Sequence, residues 1–230
     1  MRAARGELST KRSEERLVSQ ALRRARLLVN QCRPQEAEHL LRGLLSKYPG
    51  RADIHANLAW THKKQGRATD AREEFKRAHQ LKCKDRDAYW HWSELETGQE
   101  EWTASEEVAD FGLRVFPNDQ ALLFRKGYAV HRLAKERYSE EGTNNEVEKL
   151  CRKALSLMED SLKAANAEQK NNNILSQTYR ALVLTAETLR DGPSILRYLT
   201  DWNRRCPTDM HYQSEYERLR FKFPDHLPPL

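Results

Sequence analysis

Side chains capable of covalent or acid–base chemistry are thinly spread in this chain. Its 230 residues hold eight histidines and four cysteines. Cys32, Cys83, Cys151 and Cys206 lie far apart, with no CxxC and no Cys/His spacing that closes a zinc tetrahedron. They read as reduced thiols, and no metal is expected. His91 lies in Trp90-His91-Trp92, but neighbours on a helix diverge by about 100°. These three cannot converge on one reacting atom, so His91 reads as a polar groove residue. The carboxylate pairs Glu106/Glu107 and Glu140/Glu141 read as solvated faces, not acid–base pairs. No GxGxxG or GxxxxGK(S/T) phosphate loop, GxSxG elbow or HExxH helix occurs. The expectation is a protein that is not an enzyme and needs no cofactor.

What remains is charge and ring contact. Residues 1–26 carry Arg2, Arg5, Lys11, Arg12, Arg16, Arg23, Arg24 and Arg26 against Glu7, Glu14 and Glu15, which accounts for most of the net +6. Such an arm suits nucleic acid or an acidic partner. The three glutamates interrupt the run, and a solvated first helix is the plainer expectation.

These residues must be positioned by helices. Nine glycines and eight prolines are too few for an all-β chain rich in turns. Only 38% of residues are hydrophobic while 32% are charged, which favours stacked helices with much wet surface over a thick-cored globule. The longest apolar run, near Ala181–Leu184, is far short of the about 20 residues of a membrane span. The N-terminus shows no apolar stretch of the secretory kind, so a cytoplasmic protein is expected.

A period of 34 residues organises the helices. Pro49 and Pro117 stand two periods apart, with Cys83 in a like loop midway. The frame gives units 18–51, 52–85 and 86–119. Small residues fall where paired helices would cross: Ala25 and Ala37 in the first unit, Ala59, Ala71 and Ala78 in the second, Gly112 in the third. Larger residues fill the gaps: Leu28, Leu41, Leu58, Phe75, Tyr89, Trp92, Trp102. In this register the chain resembles the tetratricopeptide repeat family. The resemblance implies an all-α, right-handed superhelical solenoid of about five helix-turn-helix units. An enlarged unit at 120–175 contains a long second helix from about Glu146 to Glu168. A unit at 176–209 places Trp202 where a small residue is usual, and Asn171 to Asn173 read as the cap of its first helix. A cap helix over 210–223 and a Pro-rich tail, 224–230, close the chain. Residues 1–17 form the basic arm and the start of the first helix.

The resemblance also implies which positions face the concave surface. In the first unit they are Ser19, Leu22, Arg23, Arg26, Val29 and Asn30, and in the second Asp53, Ala56, Asn57, Trp60, Lys63 and Lys64. In the third they include Asp87, Trp90, His91 and Glu94, and in the fourth Ala121, Phe124, Arg125, Tyr128, His131 and Arg132. The expected partner-binding groove is thus Arg26, Asn57, Trp60, Lys63, Lys64, Trp90, His91, Phe124, Arg125, Tyr128 and Arg132. Rings beside long cations are a common makeup of binding hot spots. The carboxylate clamp of chaperone-binding members is not expected, because only Asn57 fits its pattern in the first three units and only one residue fits when the frame starts one unit later. The expected role is a protein–protein adaptor holding an acidic or apolar peptide segment. Two alternatives are a solenoid that binds single-stranded nucleic acid and a regulatory subunit or detached domain of an enzyme complex. Residues 27–230 carry little net charge, which disfavours nucleic acid.

Overall fold

The computed structural model describes residues 2–165 and 172–227, with side chains from residue 12 onward in the first helix. Among the described residues every regular element is a helix, and there are eleven: α1 (Arg2–Asn30), α2 (Pro34–Leu45), α3 (Ala52–Lys64), α4 (Ala68–Gln80), α5 (Arg86–Gly98), α6 (Trp102–Val115), α7 (Gln120–Glu141), α8 (Asn145–Ala164), α9 (Asn172–Thr188), α10 (Gly192–Arg205) and α11 (Met210–Lys222). None is long and apolar enough to cross a membrane. The fold class is all-α, built of short helical hairpins. Asn171, Pro228, Pro229 and the stretch in which the long helix was expected to end, at Glu168, lie outside the described residues.

The helices group into two compact units, Met1–Leu95 and Glu96–Leu230. In the first, α1 packs on α2 and α3, and α3 on α4. Ala25, Ala37, Ala59, Ala71 and Ala78 are at most 1% exposed, so each crossing is as close as a methyl group allows. Leu41, Ile54 and Leu58 fill the core between them. Phe75 and Trp92 stack with ring centroids 6.1 Å apart, which fixes α5 against α4.

The hairpins share one backbone device. Cys32, Gly66 and Glu100 have φ of 59°, 76° and 60°. They are spaced by the repeat period, and each stands just after a first helix. The next amide reaches back five residues in each case: Arg33 N to Leu28 O at 2.9 Å, Arg67 N to His62 O at 3.0 Å, and Glu101 N to Glu96 O at 3.0 Å. This left-handed closure suits glycine best, yet only one of the three positions has it.

In the second unit, α6 and α8 pack on α7, α9 on α8 and α7, and α10 on α9. Gly127 lets α7 and α8 approach: an added Cβ would lie 2.7 Å from Met158 Cγ. The tract from Ser139 reads as a break, but α7 runs on through Ser139, Glu140 and Glu141 and stops at Gly142, whose φ is 72°. Exposed polar residues extend a helix at little cost, and the glycine supplies the left-handed stop. Trp202 is fully buried in the main core with Tyr179, Leu182 and Leu219. Its indole Nε1 donates to Asp209 Oδ2 at 2.7 Å. A large ring is accommodated at this crossing because the residue that starts α11 satisfies its polar edge.

Candidate functional site

A cavity of about 180 Å³ opens among α1, α3 and α5 of the first unit. Its floor comprises Ala56 and Ala88, at 4% and 7% exposure. One wall is a ring pair: Trp60 and His91 stack at 5.8 Å with planes 27° apart. The other is polar, with Arg26, Asn30, Asn57, Asp85 and Asp87. Residues three and four apart on one helix share a face, so Asn57 with Trp60, and Ala88 with His91, turn the same way.

Arg26 crosses the polar wall. Its Nε donates to Asn57 Oδ1 and its Nη2 to Asp85 Oδ2, both at 2.8 Å. Asn57 is buried and its Nδ2 donates to Asp53 O at 2.7 Å, which holds the amide in one orientation. Asp85 is placed by the loop before α5. Lys82 takes φ 59°, Cys83 N donates to Ala78 O at 3.0 Å, and Tyr89 Oη donates to Cys83 O at 3.2 Å. Burial pushes the Tyr89 phenol up to about 12, so this hydroxyl stays a donor at neutral pH. Asp85 Oδ1 then accepts from Asp87 N at 3.0 Å and opens the helix. Asp87 pairs with Arg86 at 2.5 Å on the exposed side.

Of the expected groove residues, Arg26, Asn57, Trp60 and His91 meet around this cavity. Lys63 stands beside it, ion-paired with Glu94, whose carboxylate is also 3.4 Å from His91 Nδ1. Lys64 is exposed and Trp90 partly buried, and neither lines the cavity. Expected concave residue Val29 is instead buried in the core of this unit, because α1 turns that edge toward α2.

Phe124, Arg125, Tyr128 and Arg132 lie on α7 in the second unit. Phe124 and Arg125 are buried, at 3% and 9% exposure, rather than presented on an open face. Phe124 packs against Tyr128 with centroids 5.8 Å apart. The Arg132 guanidinium lies 4.2 Å over the Trp102 ring and Nη1 donates to Tyr128 Oη at 3.3 Å. Phe124, Tyr128 and Arg132 thus pack with one another and with Trp102 of α6, since aromatic and guanidinium planes bury well against each other.

Sequence reasoning missed Asp85 and Ala88. Asp85 precedes the helix whose positions the pattern scores. Its signal was its type: an Asp one residue before a helical run is a capping residue. Ala88 adjoins Asp87 in the pattern and became floor only through the loop that sets the rotation of α5.

Residues 22–91 match the family model described as tetratricopeptide repeat. Solved structures share the fold over most of the chain. One described as MamA protein is 12% identical with a TM-score of 0.63, over 81% of this chain and 90% of that one. YrrB, described as a TPR protein with an unusual peptide-binding site, is 13% identical with a TM-score of 0.61, over 86% and 90%. TTC0263, described as a thermophilic TPR protein in Thermus thermophilus, is 18% identical with a TM-score of 0.53, over 87% and 97%. No curated protein sequence matches the chain. Residues 22–91 thus carry the tetratricopeptide repeat pattern, and the chain shares the helical-hairpin fold of these solved structures.

Proposed function

We propose that this chain is a protein-interaction adaptor, and that the cavity among α1, α3 and α5 receives a side chain of a partner's peptide segment. The observation that carries this reading is the meeting of Arg26, Asn57, Trp60 and His91 around one concavity, with alanines as its floor. A volume of 180 Å³ suits one large side chain, since an engineered cavity of about 150 Å³ holds a benzene ring. A YrrB-like fold supports the reading, because that protein's description names a peptide-binding site. The reading uses binding alone, and a cytoplasmic setting suits it. The nucleic-acid alternative draws little support, because Arg26 and Lys63 are engaged by carboxylates of their own chain and Arg125 is buried.

The test uses a displayed random dodecapeptide library selected on the full chain. Affinities of enriched peptides are then measured by anisotropy on the wild type and on Ala88→Met, which fills the cavity from its floor. Trp60→Ala is measured in parallel, with circular dichroism confirming the helices. Each variant should weaken binding by about 2 kcal/mol or more, as for a central hot spot. Unchanged affinity for both variants would remove the cavity from the interaction.

A further inference from the structure

The polar wall of the cavity is not symmetric toward charge. Its lining contains two carboxylates, Asp85 and Asp87, and one guanidinium, Arg26. An anionic group entering here meets Arg26 already held at two points, by buried Asn57 and by Asp85. The Arg26–Asp85 pair is itself solvent-facing, with side-chain exposures of 47% and 28%, but buried Asn57 also holds Arg26, and an anion here would stand beside both Asp85 and Asp87. A cationic group meets Asp87, whose present partner Arg86 is a neighbour in sequence. That pair is solvent-facing, with side-chain exposures of 43% for Arg86 and 48% for Asp87. Exposed pairs contribute little to stability, so exchanging Arg86 for an incoming cation costs little. The opposite wall favours the same sign. Ring faces attract cations, and a flat guanidinium stacks on an aromatic plane while its fork engages a carboxylate.

We infer that the cavity selects an arginine side chain from a partner's peptide segment, with the guanidinium between the Trp60–His91 ring wall and the Asp85–Asp87 edge and the aliphatic stem over Ala56 and Ala88. This rests on the proposed adaptor reading and gives its occupant a chemistry. The Arg26–Asp85 pair, braced through Arg26 by buried Asn57, has a defined part in it. It holds Asp85 in place, and it repels a second cation from the Asn57 end, so the guanidinium is directed toward Asp87. Lysine is disfavoured because a compact ammonium forms neither the planar stack nor the two-pronged contact.

The same library and full chain test it. Enriched peptides should share an arginine at one position. Replacing that arginine by norleucine, or Asp87 by Asn, should each weaken binding about tenfold, and replacing it by lysine should lose most of that affinity too. Asp87→Glu keeps the charge and should restore most of the binding lost in Asp87→Asn, while melting temperatures report any loss of folding. In a double-mutant cycle the peptide change and Asp87→Asn should be strongly non-additive. Enrichment of acidic peptides, or affinity within twofold of wild type for Asp87→Asn, would overturn the arginine assignment. If those peptides still lose affinity on Ala88→Met, the adaptor reading stands and only its charge is wrong. Peptides indifferent to both Ala88→Met and Asp87→Asn would overturn the two together.

Discussion

Acidification from pH 7.5 to 5 should remove about 2 kcal/mol of stability through His131 alone. This side chain on α7 is 5% exposed. Thr185 Oγ1, from α9, donates to Ala181 O at 2.7 Å and so accepts from His131 Nδ1–H at 2.8 Å. This contact fixes the tautomer with its proton on Nδ1, beside the Tyr128 ring. Burial, with the nearby charges of Lys135 and Arg132, lowers its pKa to about 4. In the unfolded chain it returns to about 6.5. The unfolded state thus takes up a proton that the folded state refuses. The stability from the neutral ring is complete above about pH 6.5 and is lost as pH falls toward 4. The difference in proton uptake gives about 2 kcal/mol by pH 5 and about 3 kcal/mol by pH 4. Glu38 titrates in a lower window. Burial opposes its ionisation, but hydrogen bonds from Gln65, Arg42 and Arg67 outweigh that and hold its pKa at about 2. Its contribution is present above about pH 4.5 and fades below. Urea unfolding followed by circular dichroism at pH 7.5, 6.5, 5.5 and 5, on wild type and His131→Gln, isolates the histidine. The variant should start less stable and show a pH dependence flatter by about 2 kcal/mol. Parallel curves for the two proteins would refute the buried, neutral imidazole.

Three further outcomes rest on the backbone and the helix crossings. Gly127→Ala should lower stability by about 1–3 kcal/mol in thermal melts, since the added methyl meets Met158 Cγ at 2.7 Å and Leu157 Cβ at 3.3 Å, and this outweighs the better helix propensity of alanine. Glu100→Gly should raise stability by about 0.5–1 kcal/mol, because φ of 60° strains a side chain there, whereas Gly66→Ala, at φ 76°, should lower it by a similar amount.

The 34-residue spacing of small and large residues announced an all-α chain of paired helices, the fold class that the structure has. Side-chain size limits how closely two helices can cross, and Ala25, Ala59, Ala71 and Ala78 are buried. The turns were only half legible. Gly66 announces a left-handed residue, but Cys32 and Glu100 take the same conformation with no local preference for it. They do so because the packed helices on either side leave the chain one route. The rings show the same division. Residue type marked Trp60, Phe124 and Tyr128 alike as groove anchors, and the repeat pattern put all three on the concave face. Burial then separated them: Trp60 lines a cavity beside His91, while Phe124 is covered at the crossing of longer helices. Charge followed suit. The sequence counts Arg26 and Lys63 as cations for a ligand, whereas Asp85 and Glu94, distant in sequence, reach them first. Periodicity is a property of single helices and is written locally. Which side chain stays open, and which cation already has a partner, depends on the rotation of one helix against the next, which only the assembled core fixes.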